Sequence, residues 1–313
     1  MKPFFPAYLN LGPGELESRI KAAAAMLTDC RMCARDCAVD RLAFSAGVAE
    51  PGLCSAGVRA RVVAYSSNFS EEAPLVGEHG SGTIFFAGLD LKFLFNQNYE
   101  IHKDEQGQEV EPEQLAAIML ELQDQGCHNI NLVSPGHVAP QALEALRIAL
   151  TAGLTLPLVY NSDGYDAIPT LRLLDGIVDI YVVDLRYGDP AVADRYSRLT
   201  NYVPVSREAA REMHRQVGDL IVDESGIARH GLIVRHMVLP ANLGGTEAVA
   251  RYIAEEISAN TYLNVMRQYR PSMGKTLPEL NRPVSDAEYT AAVHWARHAG
   301  LHRLNPEPAR PQS

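Results

Sequence analysis

Short apolar runs alternate with stretches of helical periodicity along most of the chain from Gly82 onward. Apolar runs bounded by Gly, Pro, Asn or Asp are typical of strands that are buried on both faces of a parallel sheet. The pattern predicts six such strands. They cover residues 83–87, 129–134, 156–160, 177–184, 232–239 and 262–268.

Helices are predicted between and after these strands, at residues 112–125, 139–152, 168–174, 206–217, 246–257 and 286–298. The last helix follows Ser285, with Glu288 three positions on, which is the pattern of a capping box. Strands that alternate with helices form parallel sheets. The chain is therefore predicted to be an α/β protein with a partial (β/α)6 TIM-like barrel.

The part before the barrel has a different character. A helix is predicted at residues 15–28 and a strand at 59–66, with an irregular Gly- and Pro-containing region between them. An acidic, Gly-rich segment at 71–81 is predicted to be a linker. We therefore expect an N-terminal appendage over residues 1–79 and a barrel over 80–301. Residues 302–313 are rich in proline and predict a flexible tail.

Composition narrows the class of protein. The chain has 313 residues, of which 47% are hydrophobic and 21% charged, as in a globular protein with a large core. The net charge is −10 and no cluster of Lys and Arg is evident, which argues against nucleic-acid binding. The first 13 residues lack the apolar run of a signal peptide, and residues 143–158 are too interrupted to span a membrane. We expect a cytoplasmic protein with a small-molecule or protein partner; the sequence does not predict its oligomeric state.

Polar residues cluster at the ends of the predicted strands. Parallel strands bring their carboxyl ends to one rim, where ligands bind in such folds. The rim candidates are Ser134, His137, Asn161, Asp163, Tyr165, Asp184, Arg235, His236 and Gln268. The alternative is that many of these residues cap helices or form turns. Asp184, Arg186 and Arg235 are expected to pair with one another, as a structural ion network or as a substrate clamp.

The five cysteines are unevenly distributed. Four of them lie within the first 54 residues, namely Cys30, Cys33, Cys37 and Cys54. This clustering favours a metal site, either structural zinc or an iron–sulfur cluster, and thiolates suit both. Thiols that are unmodified or that pair on oxidation are the alternative. The fifth, Cys127, is expected to be a buried core residue.

Five separated segments resemble one family, in the same order along the chain. They are residues 30–41 (CRMCARDCAVDR), 74–78, 97–101, 159–161 and 268–271. The chain is similar to radical S-adenosylmethionine (SAM) proteins of the pyruvate formate-lyase activating type, in a branch with an extra N-terminal cysteine motif. The resemblance implies a barrel whose first loop holds a [4Fe-4S] cluster on a C-x3-C-x2-C motif. That cluster cleaves SAM to a 5′-deoxyadenosyl radical.

The sequence departs from the family at this motif, where its three cysteine positions hold Leu89, Phe93 and Asn96. An alkyl chain or a benzene ring cannot replace a thiolate on iron. The resemblance also implies that the turns at 134–137 and 161–165 lie near SAM, whose binding would be weakened. We therefore expect a degenerate family member that binds a small ligand or a partner and carries a metal on its N-terminal cysteines. The alternative is an active SAM-dependent or redox enzyme with its cluster on Cys30, Cys33 and Cys37, with or without Cys54.

Overall fold

The structure is a computed structural model that describes residues 4–88, 91, 107–271 and 278–306. Its strands, numbered along the chain, are β1 (Ala60–Asn68), β2 (Ser81–Phe86), β3 (Gln108–Val110), β4 (Ile130–Val133), β5 (Leu158–Ser162), β6 (Ile180–Asp184), β7 (Ile221–Val222), β8 (Ala228–Met237) and β9 (Tyr262–Met266). Its α-helices are α1 (Glu15–Ala25), α2 (Arg41–Ser45), α3 (Ala73–Val76), α4 (Pro112–Asp124), α5 (Ala139–Thr151), α6 (Ile168–Leu173), α7 (Pro190–Ser197), α8 (Tyr202–Val217), α9 (Thr246–Tyr252) and α10 (Asp286–His298).

Six parallel strands form the barrel, in the order β2, β4, β5, β6, β8 and β9. Antiparallel β1 extends the sheet beyond β2, β3 pairs with β1, and β7 pairs with β8. Within the described part of the chain, β9 pairs with β8 and not with β2, so the barrel is open. The predicted partial (β/α)6 barrel is confirmed.

A small apolar cluster fills the inside of the barrel, in addition to the main core between sheet and helices. Leu75 of α3 is fully buried there, together with residues of four strands, namely Val159, Ile180, Val182, Ile233 and Tyr262. The segment predicted as a linker at 71–81 is therefore part of the core. The prediction was wrong because the apolar run around Leu75 is too short to show a periodicity.

The sheet runs across the predicted boundary at residue 79, because β1 pairs with β2 over most of its length. At the other end, the Asn305 N–H donates to the Leu263 carbonyl at 2.9 Å, so the chain is held to β9 as far as Asn305. The division into appendage, barrel and tail stays a prediction, and residues 307–313 lie outside the described ranges. None of the helices in the described ranges combines the length and the apolar character that crossing a membrane requires.

Candidate functional site

A compact ion cluster lies at the carboxyl ends of β5 and β6. The Arg186 Nη2 donates to Asp163 Oδ1 and to Asp184 Oδ2, both at 2.6 Å. The Ser134 hydroxyl donates to the other Asp163 oxygen at 2.9 Å. Burial raises the pKa of Asp184, and the neighbouring Arg186 only partly offsets this. Three strand ends are thus joined by charge-assisted hydrogen bonds around one guanidinium.

The turn after β4 has a strained backbone at Ser134, whose φ is +50°. A residue with a Cβ adopts this left-handed conformation only where its surroundings enforce it, and such residues cluster at ligand sites. Here the Ser134 N–H donates to the Asn161 carbonyl at 2.7 Å, in addition to the bond of its hydroxyl to Asp163. Two hydrogen bonds therefore join the turns after β4 and β5.

Arg235 lies inside the barrel and pairs with the segment before α3. Its guanidinium donates to both Glu72 oxygens, at 2.6 and 2.7 Å, and also to Glu71. It reaches Asn161 Oδ1 at 3.2 Å, and the Asn264 amide donates to Glu72 at 2.8 Å. Burial by itself raises the pKa of Glu72, but Arg235 outweighs it and holds that pKa below its usual value. The expectation that Arg235 pairs with Asp184 and Arg186 was wrong. The carboxylates that pair with Arg235 belong to Glu71 and Glu72, in the segment predicted as a linker.

The two histidine candidates bond to the protein itself. The His236 Nδ1–H donates to the Leu185 carbonyl at 2.6 Å, and its Nε2 lies 2.9 Å from the Thr246 hydroxyl. Burial lowers the pKa of His236 to about 4, so the ring is neutral and lies between β8 and α9. The His137 Nε2–H donates to the Ala87 carbonyl at 2.8 Å, which ties the turn after β4 to the end of β2. Gln268, after β9, is exposed.

Tyr165 and Asp166 connect the rim to the cysteine loop, which we define as residues 30–54. The Ala34 N–H donates to the Tyr165 carbonyl at 2.9 Å, and Cys33 and Asp166 face each other in an antiparallel bridge. The Arg35 guanidinium lies over the Tyr165 ring, 5.6 Å from its centroid. The cysteine loop therefore packs directly on the barrel rim at the end of β5.

The cysteine loop folds back on itself. The Cys30 N–H donates to the Val39 carbonyl at 2.9 Å, and the Ala38 N–H donates to the Cys30 carbonyl at 3.0 Å. Asp36 and Ala38, on either side of Cys37, have φ values of +51° and +54°. Backbone in this conformation costs free energy, so the loop holds Cys30 and Cys37 in a tight turn at an energetic cost.

Four half-buried cysteine thiols are donors that suit zinc or an iron–sulfur cluster. Nevertheless, no three His, Cys, Asp or Glu side chains in the described ranges are arranged to hold a metal ion. Leu89, Phe93 and Asn96 lie outside those ranges, as does the segment 97–101, and their side-chain chemistry does not fit an iron–sulfur cluster. Cys127 is buried in the core, as predicted.

Two small cavities open at the rim. One lies between the turns after β4 and β5, beside Ser134 and Asp163, and the other lies between Cys54, Gly88 and His137. Each has a volume of about 10 Å³, which holds about one water molecule. Neither of these two cavities has room for a nucleoside.

Sequence analysis missed three residues of this site. Glu72 lies in the segment predicted as an acidic linker, and Arg41 ends the motif at 30–41 and donates to the His137 carbonyl at 2.7 Å. Asp166 accepts hydrogen bonds from Tyr160 and Ser162, and burial raises its pKa. The available signal for Arg41 was its place in a cysteine-rich motif, where a charged residue needs a partner, and for Asp166 its place in the polar turn after a buried strand.

Comparisons with known proteins find similarity to an archaeal protein and to solved structures. No protein-family model matches the chain. It is 29% identical over 301 residues to the uncharacterized protein MJ0674 of Methanocaldococcus jannaschii, covering 92% of this chain and 80% of that protein. It resembles HydG, a maturase of the [FeFe]-hydrogenase, over 64% of this chain and 45% of HydG, at 13% identity and a TM-score of 0.41 that is too low to support an argument.

The structure is also similar to that of a radical SAM methyltransferase from Sphaerobacter thermophilus, with a TM-score of 0.54 and 14% sequence identity. That match covers 99% of this chain and 96% of the methyltransferase. It extends over the cysteine loop and the barrel together. The chain therefore has the fold of a radical SAM enzyme.

Proposed function

We propose that this chain is a radical-SAM-like barrel that has lost the radical-generating site, and that it binds a small polar ligand or a protein partner instead. Its four N-terminal cysteines hold zinc or an iron–sulfur cluster beside the barrel rim. The substitutions at Leu89, Phe93 and Asn96 support the first part. In radical SAM enzymes the cluster both anchors SAM and supplies the electron, and without three thiolates in that loop neither step has a site.

The contact between the cysteine loop and the rim is the observation that carries the proposal. Backbone hydrogen bonds join Ala34 to Tyr165 and Ala167 to Met32, at 2.9 and 3.2 Å. The fold thus brings the soft donors of the chain to the ligand-binding end of the barrel. A metal there would fix the loop on the rim, as structural metals fix small loops in other proteins.

The rim itself keeps features of a binding surface. Asp184 Oδ1 is buried and has no hydrogen-bond partner within the described part of the chain. Asn131, which lies within β4 and not at the rim, also leaves both of its buried amide atoms without a partner among the described residues. Buried polar atoms are nearly always satisfied, so these atoms call for water or for polar groups of a ligand.

Anaerobic purification followed by metal and sulfide analysis tests this function. We expect about one zinc, or about four irons and four sulfides, per chain. The variant in which all four N-terminal cysteines are serine should lose the metal. Incubation with SAM and dithionite should give no 5′-deoxyadenosine. A cluster that persists in the four-serine variant would overturn the proposal, since it would have to sit elsewhere.

A second function is favoured by the position of Cys54. The Cys54 carbonyl oxygen lies so close to residue 88 that a Cβ added there would be only 2.5 Å from it. Gly88 also has a φ of +84°, so only glycine fits at this position. Cys54 therefore touches the end of the strand after which the family carries its cluster. An iron–sulfur cluster on Cys30, Cys33 and Cys37, with an open iron, would be an active SAM or redox centre. Turnover of SAM that is lost in the four-serine variant would select this function over the first.

A further inference from the structure

Another cavity lies beyond the carboxyl end of β8, between the segment that follows this strand and α10. Its volume is about 230 Å³, against about 10 Å³ for each of the two cavities at the rim. It opens to the surface beside Asn242 and Ala287, which are exposed. An apolar cavity of about 150 Å³ in a protein interior holds benzene, so this one has room for a ring with a substituent.

Both walls of the cavity are apolar. Ala287, Ala291 and Trp295 are spaced four residues apart and therefore lie on one face of α10. The two alanines carry only a methyl group, which leaves space in front of this face. Val238 and Leu239, both almost fully buried, form the other wall. Concave apolar surface of this kind is typical of sites for small molecules.

The wall after β8 contains two consecutive residues in the left-handed conformation, Ala241 with a φ of +56° and Asn242 with a φ of +54°. Residues with a Cβ adopt it only where their surroundings enforce it, and such residues cluster at ligand sites. The Ala241 N–H donates to Glu288 Oε1 at 2.7 Å, and Glu288 belongs to α10. This bond ties the two walls of the cavity together.

The charge at the cavity is compensated. Of the described residues that line it, only Glu288 is charged. Its carboxylate accepts two hydrogen bonds from the Arg282 guanidinium, at 2.7 and 2.8 Å, and two from the hydroxyl and N–H of Ser285. These bonds hold the pKa of Glu288 below its usual value. A neutral ligand therefore suits the cavity better than an ion.

Two hydrogen-bond donors at the cavity have no acceptor among the described residues. Asn242 Oδ1 accepts from the Thr246 N–H at 3.2 Å, which leaves the amide N–H groups of Asn242 without a partner there. The Trp295 indole N–H, on a half-buried ring, is also without one in that part of the chain. An indole N–H and an amide N–H both donate, so they call for an acceptor oxygen on the ligand.

We infer that this cavity binds a neutral aromatic molecule of about one ring that carries an oxygen acceptor, such as an aryl ketone or a phenol. The apolar walls hold the ring, and the donors of Trp295 and Asn242 orient the oxygen. The site lies apart from the cysteines and from the ion cluster of the rim. It therefore goes beyond the proposed function and depends neither on a metal nor on a ligand at the rim.

Titration of the full-length chain with acetophenone, phenol and ethylbenzene tests the inference. Trp295 is the only tryptophan of the sequence, so its indole N–H gives a single signal in a ¹H–¹⁵N spectrum and reports binding at the cavity directly. Calorimetry measures the affinities. Ala287→Leu and Ala291→Leu fill the cavity from α10. Thr290→Leu is the matched control, since Thr290 is exposed on the same helix but does not line the cavity.

We expect acetophenone and phenol to shift the indole signal with saturation. Ethylbenzene, which lacks the acceptor, should bind about 3- to 10-fold more weakly, as the loss of one hydrogen bond predicts. Each cavity-filling variant should bind acetophenone about 10-fold more weakly or less well still, because leucine displaces ring carbons whose burial favours binding. Thr290→Leu should bind like the wild type.

Three results would overturn the inference. The first is that neither acetophenone nor phenol gives a saturable shift of the indole signal. The second is equal affinity for ethylbenzene and acetophenone, which would remove the role of the donors. The third is wild-type affinity in both cavity-filling variants, which would place the ligand elsewhere. Thermal unfolding without ligand shows that each variant is folded, and Ala287→Leu changes an exposed residue that the fold tolerates.

Discussion

The inside of the barrel and the cysteine loop differ in the groups that surround a buried arginine. Inside the barrel, Arg235 is buried against Glu71 and Glu72, and at the rim Arg186 is buried between Asp163 and Asp184. In the cysteine loop, Arg41 is just as buried, and its described partners are the carbonyls of Gly57 and His137 and the sulfur of Met32. Within the described residues, the two arginines of the barrel each pair with two carboxylates, whereas the buried arginine of the cysteine loop forms no ion pair.

This contrast separates structure from function in the chain. Charges that are compensated within the protein stabilise the fold and are closed to a ligand, as Arg235 is. Charges that the fold leaves open indicate where something else binds. On this criterion the unpartnered oxygen of Asp184 is where the proposed ligand of the rim should be sought.

The largest expected effect comes from breaking the compensated pair inside the barrel. Glu72→Gln would remove the bidentate carboxylate partner of the buried Arg235 and leave it Glu71 as a carboxylate partner. Removing one member of a buried pair costs about 3–5 kcal/mol of unfolding free energy. Urea denaturation measures this loss of unfolding free energy. The control is Glu256→Gln, which removes an exposed partner of Arg211 and should cost about 0–1 kcal/mol. A cost for Glu72→Gln as small as that of the control would show that the barrel charges are not buried as a pair.

Metal removal should act on the other region. Chelation is expected to lower stability by about 2.7 kcal/mol when the metal had been present at about 100 times its dissociation constant. Hydrogen exchange should speed up at the amides of Ala34 and Ala167, which bond across the loop–rim contact. The amides of β6 and β8 serve as internal controls. An equal increase in the exchange rates of the loop–rim amides and of the β6 and β8 amides would contradict a metal effect that is confined to the cysteine loop.

Asp179 extends the comparison to the opposite end of the barrel, because it is a buried carboxylate bonded to two backbone N–H groups, of Ala7 and Leu158. Burial raises its pKa to about 7. The folded state therefore holds this proton more tightly than the unfolded state between pH 4 and pH 7. Within this window the contribution of Asp179 to stability falls as the pH rises, by up to about 1.4 kcal/mol per pH unit.

The pH dependence of unfolding in wild type and Asp179→Asn measures this effect. The variant should lack that part of the slope, although it loses one hydrogen bond at every pH. Parallel curves for the two proteins would mean that Asp179 is not desolvated as its burial indicates. Glu224→Gln, a change at an exposed carboxylate, should leave the slope unchanged.

Strand periodicity predicted the barrel strands well because parallel strands buried on both faces are apolar throughout. The predicted strand at 156–160 is β5 at 158–162, and the last helix begins at its predicted capping box. Short elements without a full apolar stripe were missed, such as α7, which has only eight residues. The length of an element thus decided whether its pattern was visible.

Topology also predicted that polar residues gather at one rim, since the ends of parallel strands lie side by side. Ser134, Asp163 and Asp184 do meet, around Arg186. Sequence could not predict that Glu72 would pair with Arg235, because the two are 163 positions apart and the contact depends on how α3 enters the barrel. It also could not predict the contacts of Arg41, whose acceptors at Gly57 and His137 are brought to it only by the fold.

The smallest effect concerns the link between the two regions. Arg35 lies over Tyr165, and Tyr165 stacks on Tyr202 with centroids 6.2 Å apart; the Tyr202 hydroxyl bonds the carbonyls of Asp163 and Asp184. A cation–π contact at a partly exposed site contributes about 0.5–1 kcal/mol. A double-mutant cycle of Arg35→Ala and Tyr165→Leu should give a coupling of that size. The contact of Arg207 with Tyr252, at 4.7 Å and away from the cysteine loop, is the matched control.

If the two regions communicate through this contact, the coupling between Arg35 and Tyr165 should grow when metal is bound, because an ordered cysteine loop holds Arg35 over the ring. The coupling between Arg207 and Tyr252 should be the same with and without metal. Equal responses of the two pairs to metal would mean that the loop and the rim ion cluster are independent. The charge contrast between them would then reflect two separate sites, and the ligand of the rim would have to be sought without regard to the metal.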